Sequence, residues 1–472
     1  MIAAFRLRAT VLVGVLVAAG CSTPPPIDTD RLPATPPAFA GGAWTTASAA
    51  QAPPSGEWWR AFGDPVLDQL MASAMERNDR IHIAASRLEQ ARALARVTEA
   101  RRLPLVGLSA GAFRGTGPDP GPAASTSLSA GAALSYELDV FGRIARATDA
   151  ARLDAESHAA LLRSAQLLIQ GEVAQTYFAV RALDAETEIV QDTVLAYADT
   201  LRLTQSRFRA GDLAELDVVR VRTEKAAAES QAFALQRERA SLAHALALLV
   251  GEVASTFTLA PAKWDGAAPV VPAGVPAVVL ARRPDVAAAQ KQLLAAQARV
   301  GVVQSAWFPD VRLTASGGLA SSGLSDIFKW SARAWGIGAL LSLPIFDGRR
   351  EPSIAAATAE MDGALFAYRE QLLVAFKDVE DQLSGLRLLR EQAEAEAEAV
   401  ASARRATSLS GARYRNGFIS QFELLDAQRN ELRSRRMETQ VRGAQFQTTV
   451  RLIRALGGSW DAPPAPGGAS RD

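Results

Sequence analysis

One cysteine in 472 residues leaves no disulfide possible within the chain, so Cys21 must have some other role. Histidine is nearly as scarce. His82, His158 and His244 lie far apart and none has a second histidine at metal-ligand spacing, so no metal is expected and each reads as a helix-surface or packing residue. No Walker loop, Gly-x-Ser-x-Gly elbow or dinucleotide fingerprint occurs, which leaves no cofactor to expect and argues against an enzyme. The net charge is +1 and the basic residues are interspersed with acids, so nucleic acid is not an expected partner. Aromatic residues make up 6% of a chain that is 49% hydrophobic, with alanine in runs such as AAAES and AEAEAEA. That composition excludes a bulky aromatic core and favours long, closely packed helices. A helical membrane span is missing too: VLVGVLVAAG, after Arg6 and Arg8, is too short and reads as the core of a signal peptide over residues 1–20.

Cys21 directly follows Ala-Ala-Gly and resembles the lipobox of bacterial lipoproteins, whose cysteine is acylated, by palmitate among other chains, after cleavage in front of it. Ala18 stands where leucine is usual, and the alternative is an ordinary secreted protein with a free thiol. Ser22 in place of aspartate beside the lipidated residue implies sorting to the outer membrane. Residues 21–63 then read as a lipidated, Pro-rich tether containing TPPPID, ATPPAF and APPSG.

What is abundant is repetition. RFRAGDLAELDVV, from Arg207, returns 206 residues later as RYRNGFISQFELL, from Arg413. The same offset carries Gly142 to Gly348 and Gly251 to Gly457, and an offset of 205 carries Pro104 to Pro309. The chain is a tandem duplication, with repeat 1 at 64–251, an equatorial linker at 252–281, repeat 2 at 282–458 and a tail at 459–472.

Each repeat mixes two periodicities. PLVGLSAGAF and STSLSAGAALSYELDV alternate small or polar with apolar residues, as do PDVRLTASGGLA and WGIGALLSLPIF, predicting strands at about 104–115, 125–140, 309–320 and 334–346. At about 10 residues each they have the length of transmembrane β-strands. Four strands cannot close a barrel and open edges are not tolerated in lipid, so several chains must pool them.

From Arg143 to Arg209 there is no proline, Gly171 is the one glycine, and Ile169, Thr176, Leu183, Val190, Tyr197 and Thr204 recur every seven residues. Leu365, Leu372, Val379, Leu386 and Tyr414 continue a matching pattern in the second copy. These are heptad helices of about 66 residues, or about 100 Å each. Gly211 and Gly417 tolerate the left-handed conformation that ends a helix, and Arg207, Arg209, Arg413 and Arg415 suit its negative end. Asp212 with Glu215, and Ser420 with Glu423, have capping-box spacing for the returning helices. The first block is predicted helical from Pro65 onward.

The stretches WWRAFGDPVLDQL, RRPDVAAAQKQLLAAQARVGVVQSAWFPDVRL, LSLPIFDGRR and RYRNGFISQFELLDAQR resemble the outer-membrane factors of tripartite efflux systems, the TolC and OprM family, in its NodT-like lipoprotein branch. The resemblance runs from about Trp58 to Gly458. It implies an α+β membrane protein: a homotrimer whose twelve pooled strands form one transmembrane β-barrel on a long α-helical coiled-coil barrel, lipid-anchored in the bacterial outer membrane and extending into the periplasm. It further implies a passive duct for small molecules, including drugs, working with a periplasmic adaptor and an inner-membrane pump, commonly proton-driven. The alternatives are the duct of a type I protein secretion system or a lipid-anchored trimeric coiled-coil structural protein.

By the same resemblance, acidic residues after each helical turn ring the closed aperture, here Asp217, Glu423 and Asp426. Ile419 stands where some members carry arginine, and three copies of it could narrow the pore. The alternative is that Glu423 caps its helix and Asp426 faces solvent. The hairpin tips, with Arg207, Phe208, Arg209, Gly211, Arg413, Tyr414, Arg415 and Gly417, are the expected adaptor contact.

Overall fold

The computed structural model describes residues 25–40, 56–115, 124–264, 266–272 and 276–458. The signal peptide, Cys21 and the C-terminal tail lie outside the described residues.

The first helix, α1 (Pro65–Arg77), begins where the sequence places it, because Asp64 accepts from the amides of Val66 and Leu67 and Pro65 occupies the first turn. It does not run on. Asn78 takes an extended conformation and accepts from the amide of Arg80, so a second helix, α2 (Asp79–Ala100), starts afresh. Strands β1 (Leu105–Gly115) and β2 (Ser125–Leu138) follow, then α3 (Arg143–Arg209) and α4 (Glu215–Leu249). The second half repeats the order with α5 (Pro276–Arg282), α6 (Pro284–Gln304), β3 (Asp310–Ser321), β4 (Arg333–Ser342), α7 (Arg350–Arg415) and α8 (Gln421–Ala455). Thus α5 begins inside the stretch read as linker.

Strand ends differ from expectation for local reasons. β2 stops at Leu138 because the Asp139 carboxylate turns to cap α3, accepting from Ile144 N at 3.0 Å and Ala145 N at 2.7 Å. β4 stops at Ser342 rather than near 346: Pro344 has no amide to offer a neighbouring strand. The Asp212–Glu215 capping box does not form, since Asp212 donates its amide back to Arg207 to close α3 and Ala214 takes the cap position of α4 without a side-chain bond. Ser420 and Glu423 do form theirs.

Two compact units share the chain. One comprises, of the described residues, 25–32, 86–115, 124–160 and 287–370. It holds the antiparallel sheet, ordered β1-β2-β3-β4. Leu293, Ala296 and Val300 of α6 pack on Ala357, Met361 and Leu365 of α7, and Ile27 and Leu32 of the tether cover them. Arg299 to Asp154 (2.5 Å) and Arg152 to Glu99 (2.6 Å) pin the helices laterally.

The other unit comprises, of the described residues, 33–40, 56–85, 161–264, 266–272, 276–286 and 371–458. Its core corrects the composition argument. Ten aromatic residues meet there: Trp58 and Phe178 are 1% exposed, and Phe178 lies 4.8 Å from Phe62 and from Phe446, whose ring is 4.6 Å from Trp264. A bulky aromatic core therefore does exist, but only at this level of the helices. Around it runs a polar chain. Tyr177 donates to Asp64 (2.5 Å), Arg181 donates to Tyr177 (3.0 Å) and Asp184 (3.0 Å), and Arg239 donates to Asp184 (2.5 Å). Arg181 and Arg239 also hold the carbonyls of Ala260 and Leu259, which fixes the linker to the helices.

Candidate functional site

The sheet has two chemically opposite faces, as its register shows. Directly paired residues share a face. One row reads Val106, Leu134, Ala315, Ile337, and another on the same face reads Leu108, Ala132, Gly317, Trp335. The opposite face reads Gly107, Ala133, Ser316, Gly336 and Ser109, Gly131, Gly318, Ala334. An apolar surface with Leu108 88% and Ile337 81% exposed suits lipid, and a surface dominated by Ser, Gly, Thr and Ala, with Leu105, Phe113 and Leu340 towards its ends, suits a water-filled lumen. At Gly318 a Cβ would collide with the Ala130 carbonyl oxygen, and at Gly131 it would lie 2.9 Å from the Gly317 oxygen. The lumen face is thus concave enough to need glycine on both strands. All four strands run to helices at the end opposite the hairpin loops.

In the other unit, both helical hairpins turn in the same way. Gly211 (φ 85°) donates to Phe208 and Asp212 to Arg207; Gly417 (φ 76°) donates to Tyr414 and Phe418 to Arg413. This paired pattern closes a helix on a left-handed glycine. The repeats then part company. Phe208 is 42% exposed, whereas Tyr414 is buried. Arg207 crosses from the first turn to the second, its guanidinium 5.1 Å from the Tyr414 ring centroid and donating to the Arg415 carbonyl at 3.1 Å. Gln421 donates to the fully buried Thr204 hydroxyl at 3.0 Å, and that hydroxyl lies 3.5 Å from the Tyr414 hydroxyl. The structure therefore links Thr204, Arg207, Tyr414 and Gln421 into one lock between hairpins.

The expected gate residues are not joined by any such contact. Asp217 sits half-buried in the first turn of α4 and shows no side-chain partner among the described residues. Glu423 is engaged in its capping box, and Asp426 accepts from Asn430 at 3.2 Å. Ile419 is half-buried, while neighbouring Phe418 is the exposed apolar group of that turn. Arg209 donates to Gln205 of its own helix. Gln421 and Phe418 escaped the sequence reading, and Thr204 was read only as a heptad position, without its bond to Gln421. Its one usable signal was the Phe208 to Tyr414 exchange, since a buried phenol demands a partner.

Deeper along the helices, the buried Tyr197 hydroxyl has no hydrogen-bond partner among the described residues. Burial pushes it up to about 12, Glu224 adding to the shift and Arg429 opposing it. Among the described residues no cluster could hold a metal ion.

A lipid-compatible strand face backed by a polar one, on paired heptad helices duplicated in one chain, defines an outer-membrane channel with a helical extension. A profile described as outer membrane efflux protein matches residues 70–252 and 275–458. The chain belongs to the outer membrane efflux protein family. It is 34% identical over 406 residues to the solvent efflux pump outer membrane protein SrpC of Pseudomonas putida, covering 84% of this chain and 86% of that one. It is 34% identical over 458 residues to the pyoverdine export outer membrane protein OpmQ of Pseudomonas putida, covering 94% and 95%. Among solved structures, the outer-membrane channel OprN superposes with a TM-score of 0.87 at 29% identity, over 93% of this chain and all of that one. The Neisseria gonorrhoeae MtrE outer membrane channel gives 0.81 at 25% identity, over 93% and 98%. The protein is an outer-membrane channel of an efflux pump, which sets aside the structural-stalk alternative.

Proposed function

We propose that three copies of the chain pool their sheets into one twelve-stranded barrel and their helices into one tunnel, a passive duct for small molecules. The carrying observation is the two-faced sheet whose outer strands, β1 and β4, are left without a further strand beside them among the described residues. In lipid each unpaired backbone group on those edges would cost several kcal/mol. An even number of antiparallel strands lets β4 of one copy continue into β1 of the next without breaking the alternation. The number three follows the family resemblance. The sequence carries no Walker loop to drive the transport step, and the reading assigns energy and cargo selection to a periplasmic adaptor and a proton-driven inner-membrane pump. The hairpin tips, with their arginines, are the surface the adaptor grips.

The relatives named for solvent efflux and pyoverdine export support small molecules as cargo over secreted proteins. The helical tips close the duct at rest: the Arg207–Tyr414 lock holds the two turns together, Asp217, Glu423 and Asp426 set a cation preference, and Ile419 narrows the passage. Of the carboxylates, Asp217 is the freest to face an ion. Cys21 carries the acyl anchor. The test is export: cells lacking their own outer-membrane efflux channel, given this chain with a matched adaptor and pump, should tolerate toluene and retain less of a fluorescent dye. Tolerance identical with and without the chain would refute the reading.

A further inference from the structure

The apolar face of the sheet carries two charged residues in its four strands, and both are arginines at the same end. Arg114 is in phase with Val106 and Leu108 on β1 and pairs with Thr126; Arg333 is in phase with Trp335 and Ile337 on β4 and pairs with Leu319. The remaining strand charges, Glu137, Asp310 and Arg312, lie on the polar face at the helix end. Arg114 is the penultimate residue of β1 and Arg333 the first of β4, so both sit at the hairpin-loop end. With the helices directed to the periplasm, that end meets the outer leaflet.

Both side chains are exposed, and neither forms an ion pair among the described residues. By contrast, Lys329 in the adjoining loop is bound to Asp326 at 2.5 Å. The Arg333 guanidinium lies 3.3 Å from the centroid of the exposed Trp330 ring, which holds its plane while leaving its outer donors free. A cation on a lipid-facing strand is unfavourable in mid-bilayer and nearly neutral at the interface. There a phosphate can take two parallel N–H bonds from each guanidinium.

We propose that Arg114 and Arg333, with Trp330 as the aromatic support, form a rim site that binds the phosphate groups of the phosphorylated glycolipid of the outer leaflet. The inference rests on the outer-membrane channel reading. In a pooled barrel, β1 and β4 are the strands that meet at each seam, so Arg114 of one copy and Arg333 of the next flank every junction and a glycolipid bound there bridges two copies.

The test uses full-length protein purified in detergent, with diphosphoryl lipid A, monophosphoryl lipid A, phosphatidylethanolamine and sodium phosphate as probes in native mass spectrometry. Diphosphoryl lipid A is expected to bind best. Each of Arg114→Ala and Arg333→Ala should weaken it about fivefold, and Arg333→Lys should recover part of the loss. Arg152→Ala, remote from the sheet, should leave binding unchanged. Equal binding by wild type and the double variant would overturn the proposal, as would equal retention of phosphatidylethanolamine, which would mark only an apolar belt. Displacement of lipid A by an equimolar amount of sodium phosphate would overturn it too, by assigning the site to free anions. Failure of the wild type and of the tip-opening Arg207→Ala variant alike to produce conductance steps in planar bilayers would refute the channel reading itself, a failure distinct from any of these.

Discussion

Asn78 and Arg283, 205 residues apart, make the same bond in the two halves of the chain. Asn78 Nδ2 donates to the carbonyl of Leu249 at 2.8 Å, and Arg283 Nη1 to the carbonyl of Ala455 at 3.2 Å. Leu249 and Ala455 are themselves equivalent, each the last residue of a returning helix. The duplication thus survives as a shared way of tying a short helix to the end of a long hairpin, although an amide does the work in one half and a guanidinium in the other.

Replacing Asn78 by Ala removes both this bond and the cap on Arg80, and leaves the Leu249 carbonyl buried without a donor. The expected cost is about 1–3 kcal/mol. Arg283→Ala should cost more, because Asp285 (2.7 Å) and Asp378 (3.1 Å) lose their cation as well. Thermal unfolding of the purified protein followed by circular dichroism measures both; equal midpoints for wild type and Asn78→Ala would show that the tie contributes nothing.

Two buried tyrosines should behave oppositely on losing their hydroxyls. Tyr177→Phe leaves Asp64 and Arg181 without a shared partner and should destabilise by about 1–3 kcal/mol, whereas Tyr197→Phe deletes an unsatisfied group and should be neutral or stabilising.

Alkaline pH tests the same pair. Burial raises both phenols from 10.0 to about 12, so the fold favours their neutral forms. Their contribution is complete below pH 10 and is lost as pH rises through about 12. Melting temperature should fall across that window, and Tyr197→Phe should flatten the fall. A profile unchanged by the substitution would place the titration elsewhere.

At the tip, Arg207→Ala frees the Tyr414 ring and the Arg415 carbonyl and should raise resting conductance in planar bilayers, with Tyr414→Phe giving a smaller rise. Like carboxylates about 6 Å apart repel by roughly 3 kcal/mol at an effective dielectric of 20. Asp217→Ala with Glu423→Ala should therefore weaken cation preference, and Ile419→Ser should raise conductance if that ring is the tightest point. Currents indifferent to all of these would move the constriction up the tunnel.

Much of the fold was legible because it is periodic. Ile169, Val190, Tyr197 and Thr204 declare a buried heptad stripe, and each is buried. The strand faces follow from alternation once β1 to β4 are in register. What local pattern could not convey was long-range. Thr204 and Gln421 are 217 positions apart, and no spacing rule joins them. The break at Asn78 was hidden because apolar periodicity continues across it, and the aromatic cluster because composition averages over the chain what the fold gathers at one level. Asp212 misled through position: a residue that finishes one helix cannot also cap the next.

The central claim is that β4 of one copy pairs with β1 of the next. Cysteine fixed at Ala110 and scanned singly from Ala334 to Leu340, in membranes under oxidising conditions, tests it most directly. Cross-links should appear with a period of two, at positions on the same face such as Trp335, Ile337 and Ala339, and the ladder of linked species should end at three chains. Absence of intermolecular cross-links at every position, or a ladder extending past three, would contradict the account.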